Sequence, residues 1–190
     1  MPQTEMTCHS PATEQAPDDA SRIALIGSPN GGKTSIFNQL TGLHAKTGNY
    51  PGVTVSRSEG VARIHDHTFA IEDLPGTYSL SPISPDEQVV VDVLDGRMDQ
   101  VSAPDALVVV ADATALRRSL LLLAEVLPRH LPTAVVVTMT DELRRRQGSL
   151  DVTALSQALG VPVVAVVANR GIGIGELRNL LTTWHDWDRP

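Results

Sequence analysis

Several residue types are scarce in this sequence, and each shortage excludes a class of protein. Cys8 is the only cysteine, so the chain forms no intrachain disulfide and no cysteine-based metal site. Two Phe, two Tyr and two Trp supply all the aromatic bulk, so aliphatic side chains must fill the core. No apolar run reaches the roughly 20 residues that cross a bilayer, and residues 1–21 lack the hydrophobic stretch of a signal peptide. We therefore expect a cytoplasmic chain that does not itself insert into a membrane.

Positive charge is also in short supply. Lys and Arg total 15 against 22 Asp and Glu, which gives a net charge of −7. This balance disfavours nucleic acid as the main partner. The single basic run, residues 144–146, follows Asp141 and Glu142, a pattern typical of a solvated helix face. A role in the assembly of RNA or ribosomes is disfavoured for the same reason.

The chain divides into a tail, one domain and a short end. Residues 1–21 are rich in Thr, Pro, Ala, Gln and Asp, which predicts a disordered tail. Residues 22–184 alternate aliphatic runs with helical patterns, and residues 185–190 form the C-terminal end. Residues 43–58 carry Gly, Pro and Asn without helical periodicity and are predicted to be a long loop. Trp184 is expected to pack in the core and Trp187 to be exposed.

The alternation of strands and helices predicts the fold class. The predicted strands are 23–26, 61–64, 68–71, 106–110, 133–137 and 161–167, and the predicted helices are 34–40, 86–94, 113–127, 150–159 and 174–184. Such repetition implies right-handed crossovers in a mostly parallel sheet. We expect an α/β fold in which six strands, one of them antiparallel, carry helices on both faces. Ligands of such sheets bind at the carboxyl ends of the strands.

A phosphate-binding motif follows the first predicted strand. Residues 27–34 read GSPNGGKT, which matches G-x-x-x-x-G-K-[ST] between a strand and a helix. Glycines allow backbone N–H groups to wrap a phosphate, Lys33 reaches the β- and γ-phosphates, and the Thr34 hydroxyl binds Mg²⁺. The candidate nucleotide-binding residues here are Asn30, Gly31, Gly32, Lys33, Thr34 and Ser35.

Two further segments complete the phosphate and magnesium site. Asp73 begins the sequence DLPG, 40 residues after Lys33 and at the end of the neighbouring predicted strand. A carboxylate there binds Mg²⁺, and the N–H of Gly76 senses the γ-phosphate. Thr54 lies in the loop between the two motifs, where its hydroxyl completes the Mg²⁺ shell.

These segments resemble one protein family. The stretches GSPNGGKTSIFNQLTG, GNYPGVTV and DLPGTYSLSPIS, followed by DEQ, resemble the G domain of the bacterial ferrous-iron transport protein B family (FeoB) from residue 22 to about 182. The resemblance implies a Ras-like P-loop GTPase fold, with switch I at 43–58 and switch II at 74–90. It also implies that a helical domain and a transmembrane transporter region follow. Whether the chain is cut from a transporter or free-standing is left open.

The resemblance implies hydrolysis of GTP stimulated by K⁺. Asn30 matches the asparagine whose side chain holds the ion, and Gly48 and Tyr50 match positions whose carbonyls complete its site. The catalytic candidates are Lys33, Thr54, Gly76 and Asn30. Thr77 stands where many small GTPases have a water-orienting glutamine, so we expect slow turnover.

The base site departs from the family pattern. Asp141 is retained, and its carboxylate can accept from N1–H and N2–H₂ of guanine, which adenine lacks. Thr138 replaces an asparagine that usually reaches the base N7 and ties this loop to the P-loop, while Met139 covers one face of the base. Ala168 replaces a usual Ser, and the backbone N–H of Asn169 donates to guanine O6. We expect guanine preference with weaker discrimination and faster release.

Two functions therefore stay open. The first is a Mg²⁺-dependent GTPase switch that binds GTP and GDP and serves a membrane transporter domain in cis or in trans. The alternative is a nucleotide-sensing module with relaxed specificity for GTP and ATP and little hydrolysis.

His65 and His67 flank Asp66 at a predicted hairpin tip, where solvent exposure is favoured over metal binding.

Overall fold

The computed structural model describes residues 16–17 and 19–187. Most of the predicted disordered tail lies outside the described residues, as do Cys8 and residues 188–190. Within the part of the chain that is described, no helix is long and apolar enough to span a bilayer.

Strands and helices alternate along the chain. The strands are β1 (Ser21–Gly27), β2 (Ala45–Asn49), β3 (Ser56–Ile64), β4 (His67–Asp73), β5 (Ala106–Asp112), β6 (Thr133–Thr138) and β7 (Val163–Ala165). The α-helices are α1 (Lys33–Thr41), α2 (Pro85–Leu94), α3 (Leu116–Val126), α4 (Thr140–Arg145), α5 (Val152–Leu159) and α6 (Ile174–Thr182). Short 3₁₀ turns occupy Ala113–Ala115, Leu127–Arg129, Ala168–Arg170 and Trp184–Asp186.

The strands form one sheet in the order β2-β3-β4-β1-β5-β6-β7. Strand β3 runs antiparallel to both neighbours, and every other pair is parallel. The predicted fold class, a mostly parallel α/β sheet with one antiparallel strand, is confirmed. The sheet has seven strands rather than the predicted six.

The additional strand, β2, lies in the segment predicted to be a loop. Its sequence, AKTGN, is exposed over four of five positions and has no apolar alternation. Backbone pairing with β3 alone makes it a strand, from Ala45 opposite Gly60 to Asn49 opposite Ser56. An edge strand of this kind has no buried face, so hydrophobic periodicity cannot reveal it.

Helices cover both faces of the sheet. Ala24 and Ile26 of β1 point into one hydrophobic cluster, which α2, α3 and α5 cover. Ile23 and Leu25 point into the other, which contains residues of α1 and α6. Because successive side chains of a strand face opposite sides, a continuous aliphatic run serves both clusters.

One of the two tryptophans differs from expectation. Trp187 is 4% exposed and belongs to the cluster under α1 and α6, while Trp184 is half-buried against it. The prediction of an exposed Trp187 was therefore wrong. Helix α6 ends at Thr182, a 3₁₀ turn over Trp184–Asp186 follows it, and Trp187 packs in the core directly after that turn.

The carboxyl ends of four parallel strands meet at one edge of the sheet. Leu25 pairs with Asp73, Gly27 with Val110, and Asp112 with Thr138. Gly27 is required at this edge because a Cβ there would lie 2.5 Å from the carbonyl oxygen of Val110. The loops that carry the sequence motifs leave from this edge.

Candidate functional site

The phosphate loop connects β1 to α1. Asn30 (φ 62°) and Gly32 (φ 88°) adopt left-handed conformations, and α1 begins at Lys33. The loop is closed by a hydrogen bond from the Gly31 N–H to the Ser28 carbonyl at 3.2 Å. Its residues line a cavity at the N-terminus of α1: Ser28, Pro29, Asn30, Gly32, Lys33 and Thr34. A helix N-terminus reached through such a loop presents N–H groups to an anion.

Lys33, Thr34 and Asp73 meet although 40 residues separate the lysine from the aspartate. Lys33 Nζ donates to Asp73 Oδ1 and to the Leu74 carbonyl. Thr34 Oγ1 donates to Asp73 Oδ2 at 2.8 Å. The hydroxyl and the carboxylate form a hard-oxygen pair, the donor type that Mg²⁺ prefers. The donor chemistry therefore fits the predicted magnesium site.

Thr54 faces the same region from switch I. A turn carries it, in which the Tyr50 N–H donates to the Val55 carbonyl at 2.9 Å and Gly52 takes a φ of 76°. Thr54 is exposed and lines one cavity with Lys33, Asp73 and Gly76. The structure thus brings together all the predicted magnesium ligands.

Gly76 places switch II against the phosphate loop. A Cβ on Gly76 would lie 2.9–3.0 Å from three atoms of Pro29, so only glycine fits. The next N–H, of Thr77, donates to the Gly27 carbonyl at 3.1 Å. The Thr77 side chain is fully buried, and its hydroxyl donates to the Ser79 carbonyl at 2.6 Å. Thr77 therefore does not present a side chain to the phosphate cavity.

The potassium candidates are not all brought together. Asn30 lines the phosphate cavity, which neither Gly48 nor Tyr50 borders. Gly48 lies in β2 opposite Arg57 and lines a separate cavity with Lys46 and Asn49. The Tyr50 carbonyl accepts from the Val53 N–H at 3.3 Å within the switch I turn.

The Tyr50 side chain instead anchors switch I to the sheet. It is 1% exposed, and its hydroxyl donates to Glu72 Oε1 at 2.9 Å. Arg57 Nε donates to the same oxygen at 2.9 Å, and Arg57 Nη2 donates to Glu59 at 2.6 Å. This network was not predicted. Its one sequence signal is a glutamate, Glu72, directly after the apolar run of residues 69–71 in β4.

Charge and burial act on the titrating groups of this network. Burial raises the pKa of the Tyr50 phenol well above its ordinary value, and the charge of Glu72 and its hydrogen bond raise it further. Burial opposes the charge on Arg57, but the hydrogen bond and charge of Glu72, with the charge of Glu59, raise its pKa overall. The phenol therefore stays protonated and donates to the carboxylate.

The base-site candidates surround one cavity beyond the phosphate loop. They come from the end of β6, the start of α4 and the 3₁₀ turn after β7. The cavity is lined by Gly32, Ser35, Thr138, Met139, Asp141, Ala168 and Asn169, together with Glu142, Arg145 and Val167. All the residues predicted to contact the base are thus assembled.

Thr138 is buried at the floor of this cavity. Its hydroxyl donates to the Gly31 carbonyl at 2.7 Å and lies 3.2 Å from the Ala111 carbonyl. A tie between this strand end and the phosphate loop is therefore present without the asparagine. Met139 follows in a left-handed conformation (φ 56°) and lines the cavity.

Asp141 is 19% exposed and pairs with Arg145 one helical turn later, at 3.2 Å. Arg145 also contacts Glu142 at 3.0 Å and is itself 67% exposed. Exposed pairs of this type contribute only about 0.3–0.5 kcal/mol, so the carboxylate is accessible to a ligand with better donors.

The loop that carries Ala168 is held from α1. Gln39 Nε2 donates to the Ala168 carbonyl at 3.0 Å across 129 residues of sequence. The same loop packs closely at Gly173, where only glycine fits because a Cβ would lie 2.1 Å from the Ala165 carbonyl oxygen. Gln39 thus supplies an anchor for this loop, whose usual Ser is absent.

His65 and His67 are exposed at the β3–β4 turn. His65 Nε2 lies 3.2 Å from Asn179 Oδ1 of α6. Among the residues that the structure describes, no group of three or more His, Cys, Asp or Glu is placed to hold a metal.

The fold and site define a class of protein. A glycine-rich loop follows β1, a carboxylate ends β4, and a second cavity lies at the ends of β6 and β7 on a mostly parallel sheet. This is the arrangement of a Ras-like P-loop G domain.

The chain belongs to the FeoB family, since the family model described as "Ferrous iron transport protein B" matches residues 21–181. It is 43% identical over 160 residues to the Fe(2+) transporter FeoB of Leptospira biflexa, which covers 84% of this chain and 23% of that protein. The chain spans 19–23% of the length of the first curated relatives that it matches.

Solved structures agree with this assignment. The G domain of the T. maritima FeoB iron transporter has a TM-score of 0.79 and 37% identity, covering 88% of this chain and 99% of that one. The cytosolic domain of the same transporter in its GMPPNP form has a TM-score of 0.81 and 37% identity, covering 87% of this chain and 64% of that one.

Proposed function

We propose that this chain is a Mg²⁺-dependent switch domain that binds and hydrolyses GTP. The observation that carries the proposal is the convergence of Lys33, Thr34, Thr54 and Asp73 beside the phosphate loop. Binding alone requires a phosphate loop, whereas residues from both switch segments at the same cavity suit a site that responds to the γ-phosphate. GDP- and GMPPNP-bound forms of the T. maritima relative support a nucleotide ligand.

The base is proposed to be guanine. Asp141 lines the base cavity with its carboxylate partly exposed. A carboxylate accepts from two donors on the guanine edge, and each such bond contributes about 1.5–3 kcal/mol. Opposite adenine the same carboxylate would face the N1 lone pair, so adenine is disfavoured.

Lys33 changes partners during binding. Its ammonium contacts Asp73 and the Leu74 carbonyl, and the β- and γ-phosphates would compete for it. Release of Lys33 leaves the Asp73 carboxylate with the Thr34 hydroxyl, an oxygen pair that would hold Mg²⁺. The bound Mg²⁺ would offset negative charge on the phosphates.

Hydrolysis is proposed to be slow. Gly76 packs against Pro29 of the phosphate loop, where its N–H would meet the γ-phosphate, while Lys33 would stabilise charge that develops on it. The buried Thr77 offers no side chain to orient water. Placement of water therefore depends on backbone groups, on Thr54 and on bound cations.

Potassium is proposed to act beside Asn30, whose amide oxygen belongs to the phosphate loop. Gly48 and Tyr50 contribute carbonyls only if switch I rearranges, because the Tyr50 carbonyl is engaged within its own turn. K⁺ stimulation would therefore accompany a movement of residues 48–53.

The biological setting follows from the relatives. The curated relatives are named Fe(2+) transporters, and the chain matches about a fifth of their length. We propose that the domain works at the cytoplasmic face of a membrane and that its switch segments signal to a transporter domain in cis or in trans. Ferrous iron is the proposed cargo of that transporter.

A second candidate is a nucleotide-sensing module with relaxed base specificity and little hydrolysis. The observation that favours it is the buried pairing of Thr138 with Gly31, which leaves Asp141 as the main reader of the base. Because adenine also carries N7, this pairing weakens the binding of both bases alike, and relaxed discrimination between GTP and ATP would require in addition that Arg145 keep its pairing with Asp141.

Phosphate release separates the two candidates. Wild-type protein and Lys33→Ala are each given GTP or ATP in KCl or NaCl at fixed Mg²⁺. The GTPase account predicts GTP turnover that rises in KCl, little ATP turnover and none with the variant. Equal turnover of both nucleotides contradicts guanine selectivity, and no turnover by the wild type leaves the sensing module.

A further inference from the structure

Thr138 lies where three elements of the site meet. It ends β6, beside the end of β5 and beneath the phosphate loop. Its side chain is 2% exposed, and two carbonyl oxygens lie within reach of its hydroxyl: Gly31 at 2.7 Å and Ala111 at 3.2 Å. Both neighbours are hydrogen-bond acceptors.

The hydroxyl has a single proton to donate. Two protein carbonyls compete for it, and the shorter contact is with Gly31 in the phosphate loop. Guanine N7 is an acceptor and requires a donor. Thr138 therefore has no proton left for N7, although it lines the base cavity.

Resting on the proposed guanine site, we propose that Thr138 is a positioning residue: its hydroxyl holds the phosphate loop at Gly31, and guanine is bound without a hydrogen bond from this position to N7. Asp141 then reads the Watson–Crick edge of the base. The site accepts purine nucleotides in which N7 is replaced by carbon, provided that the N1–H and N2 amine are kept.

The contact acts on the loop that holds the phosphates. Gly31 is buried, and its carbonyl would lose this partner if the hydroxyl were removed. The Thr138 methyl group also packs near Gly32, where an added Cβ would lie 3.4 Å from Cγ2. Loss of the hydroxyl should therefore weaken every nucleotide by the same factor, whatever its base.

The test compares GDP with 7-deaza-GDP by titration calorimetry at fixed Mg²⁺. The wild type is expected to bind both with affinities within about twofold of each other. Thr138→Val, which keeps the shape and removes the hydroxyl, is expected to lower both affinities by the same factor of about two to ten. Thr138→Ser restores both.

A matched control lies on the same strand. Thr133 is fully buried, and its hydroxyl donates to the Leu131 carbonyl at 2.8 Å, at the opposite end of β6. Thr133→Val removes an equally buried hydroxyl away from the site and is expected to leave both affinities unchanged. Thermal unfolding of each variant confirms that it is folded.

Different results would contradict the inference and the proposed function on which it rests. If the wild type binds 7-deaza-GDP at least fivefold more weakly than GDP, the inference is wrong while the guanine site stands. If Thr138→Val weakens GDP alone, the hydroxyl contacts the base and the inference is again wrong. If the wild type binds neither nucleotide, the proposed function is overturned as well.

Discussion

Removing one hydroxyl tests how switch I is held. Tyr50→Phe keeps the buried ring and deletes the hydrogen bond to Glu72, which is 2.9 Å long. Hydrogen bonds to a charged group contribute about 1.5–3 kcal/mol, and we expect the free energy of unfolding to fall by about this amount. Arg57 still donates to the same carboxylate oxygen, so a larger loss is not expected. For a domain of this size the melting temperature should fall by about 3–12 °C.

Tyr78 provides the matched control. It is 43% exposed, and its ring lies 5.2 Å from the Arg118 guanidinium carbon, a contact that Tyr78→Phe preserves. Urea unfolding of the wild type and both variants gives the three free energies. A loss below about 0.5 kcal/mol in Tyr50→Phe, equal to that in Tyr78→Phe, would refute the anchoring role of the hydroxyl.

Three further predictions concern Gly76, Gln39 and the titration of Tyr50. Gly76→Ala places a Cβ about 3 Å from Pro29 and should abolish GTP turnover. The affinity for GDP, measured by calorimetry, should change less than tenfold. Unchanged turnover would contradict the close packing. Gln39→Ala removes the hydrogen bond that holds the Ala168 carbonyl, and the loosened loop should release GDP about two- to tenfold faster in stopped flow. An unchanged release rate would show that Gln39 does not anchor this loop. Because the pKa of Tyr50 is raised, the folded state keeps a proton that the unfolded state loses near pH 10.0. The free energy of unfolding should therefore fall above that pH by at most about 1.4 kcal/mol per pH unit. Tyr50→Phe should lack this part of the slope when unfolding is measured over the same pH range.

The meeting of Lys33 and Asp73 could be predicted from the sequence because both positions obey a topological rule. Lys33 follows one strand and Asp73 ends its parallel neighbour, so both arrive at the same edge of the sheet. The aliphatic runs around residues 23, 106 and 133 indicated the buried strands because a strand covered on both faces is apolar at successive positions. The order of the motifs along the chain was therefore enough to predict that they lie close together.

Other features depend on contacts that no local pattern encodes. Strand β2 is polar and forms only through backbone pairing, so its sequence is indistinguishable from a loop. The bond between Gln39 and Ala168 joins positions 129 residues apart. Trp187 is buried after a 3₁₀ turn that follows α6, a feature that helical periodicity does not anticipate.

We expect Asp141 to select guanine at a site that hydrolyses the nucleotide. Xanthine carries a carbonyl where guanine has its N2 amine, so an amide in place of the carboxylate offers it a donor. We would measure phosphate release from GTP and XTP by the wild type and by Asp141→Asn, in KCl with Mg²⁺. We expect the wild type to turn over GTP in preference to XTP and the variant to reverse this preference. The same preference in both proteins would contradict it.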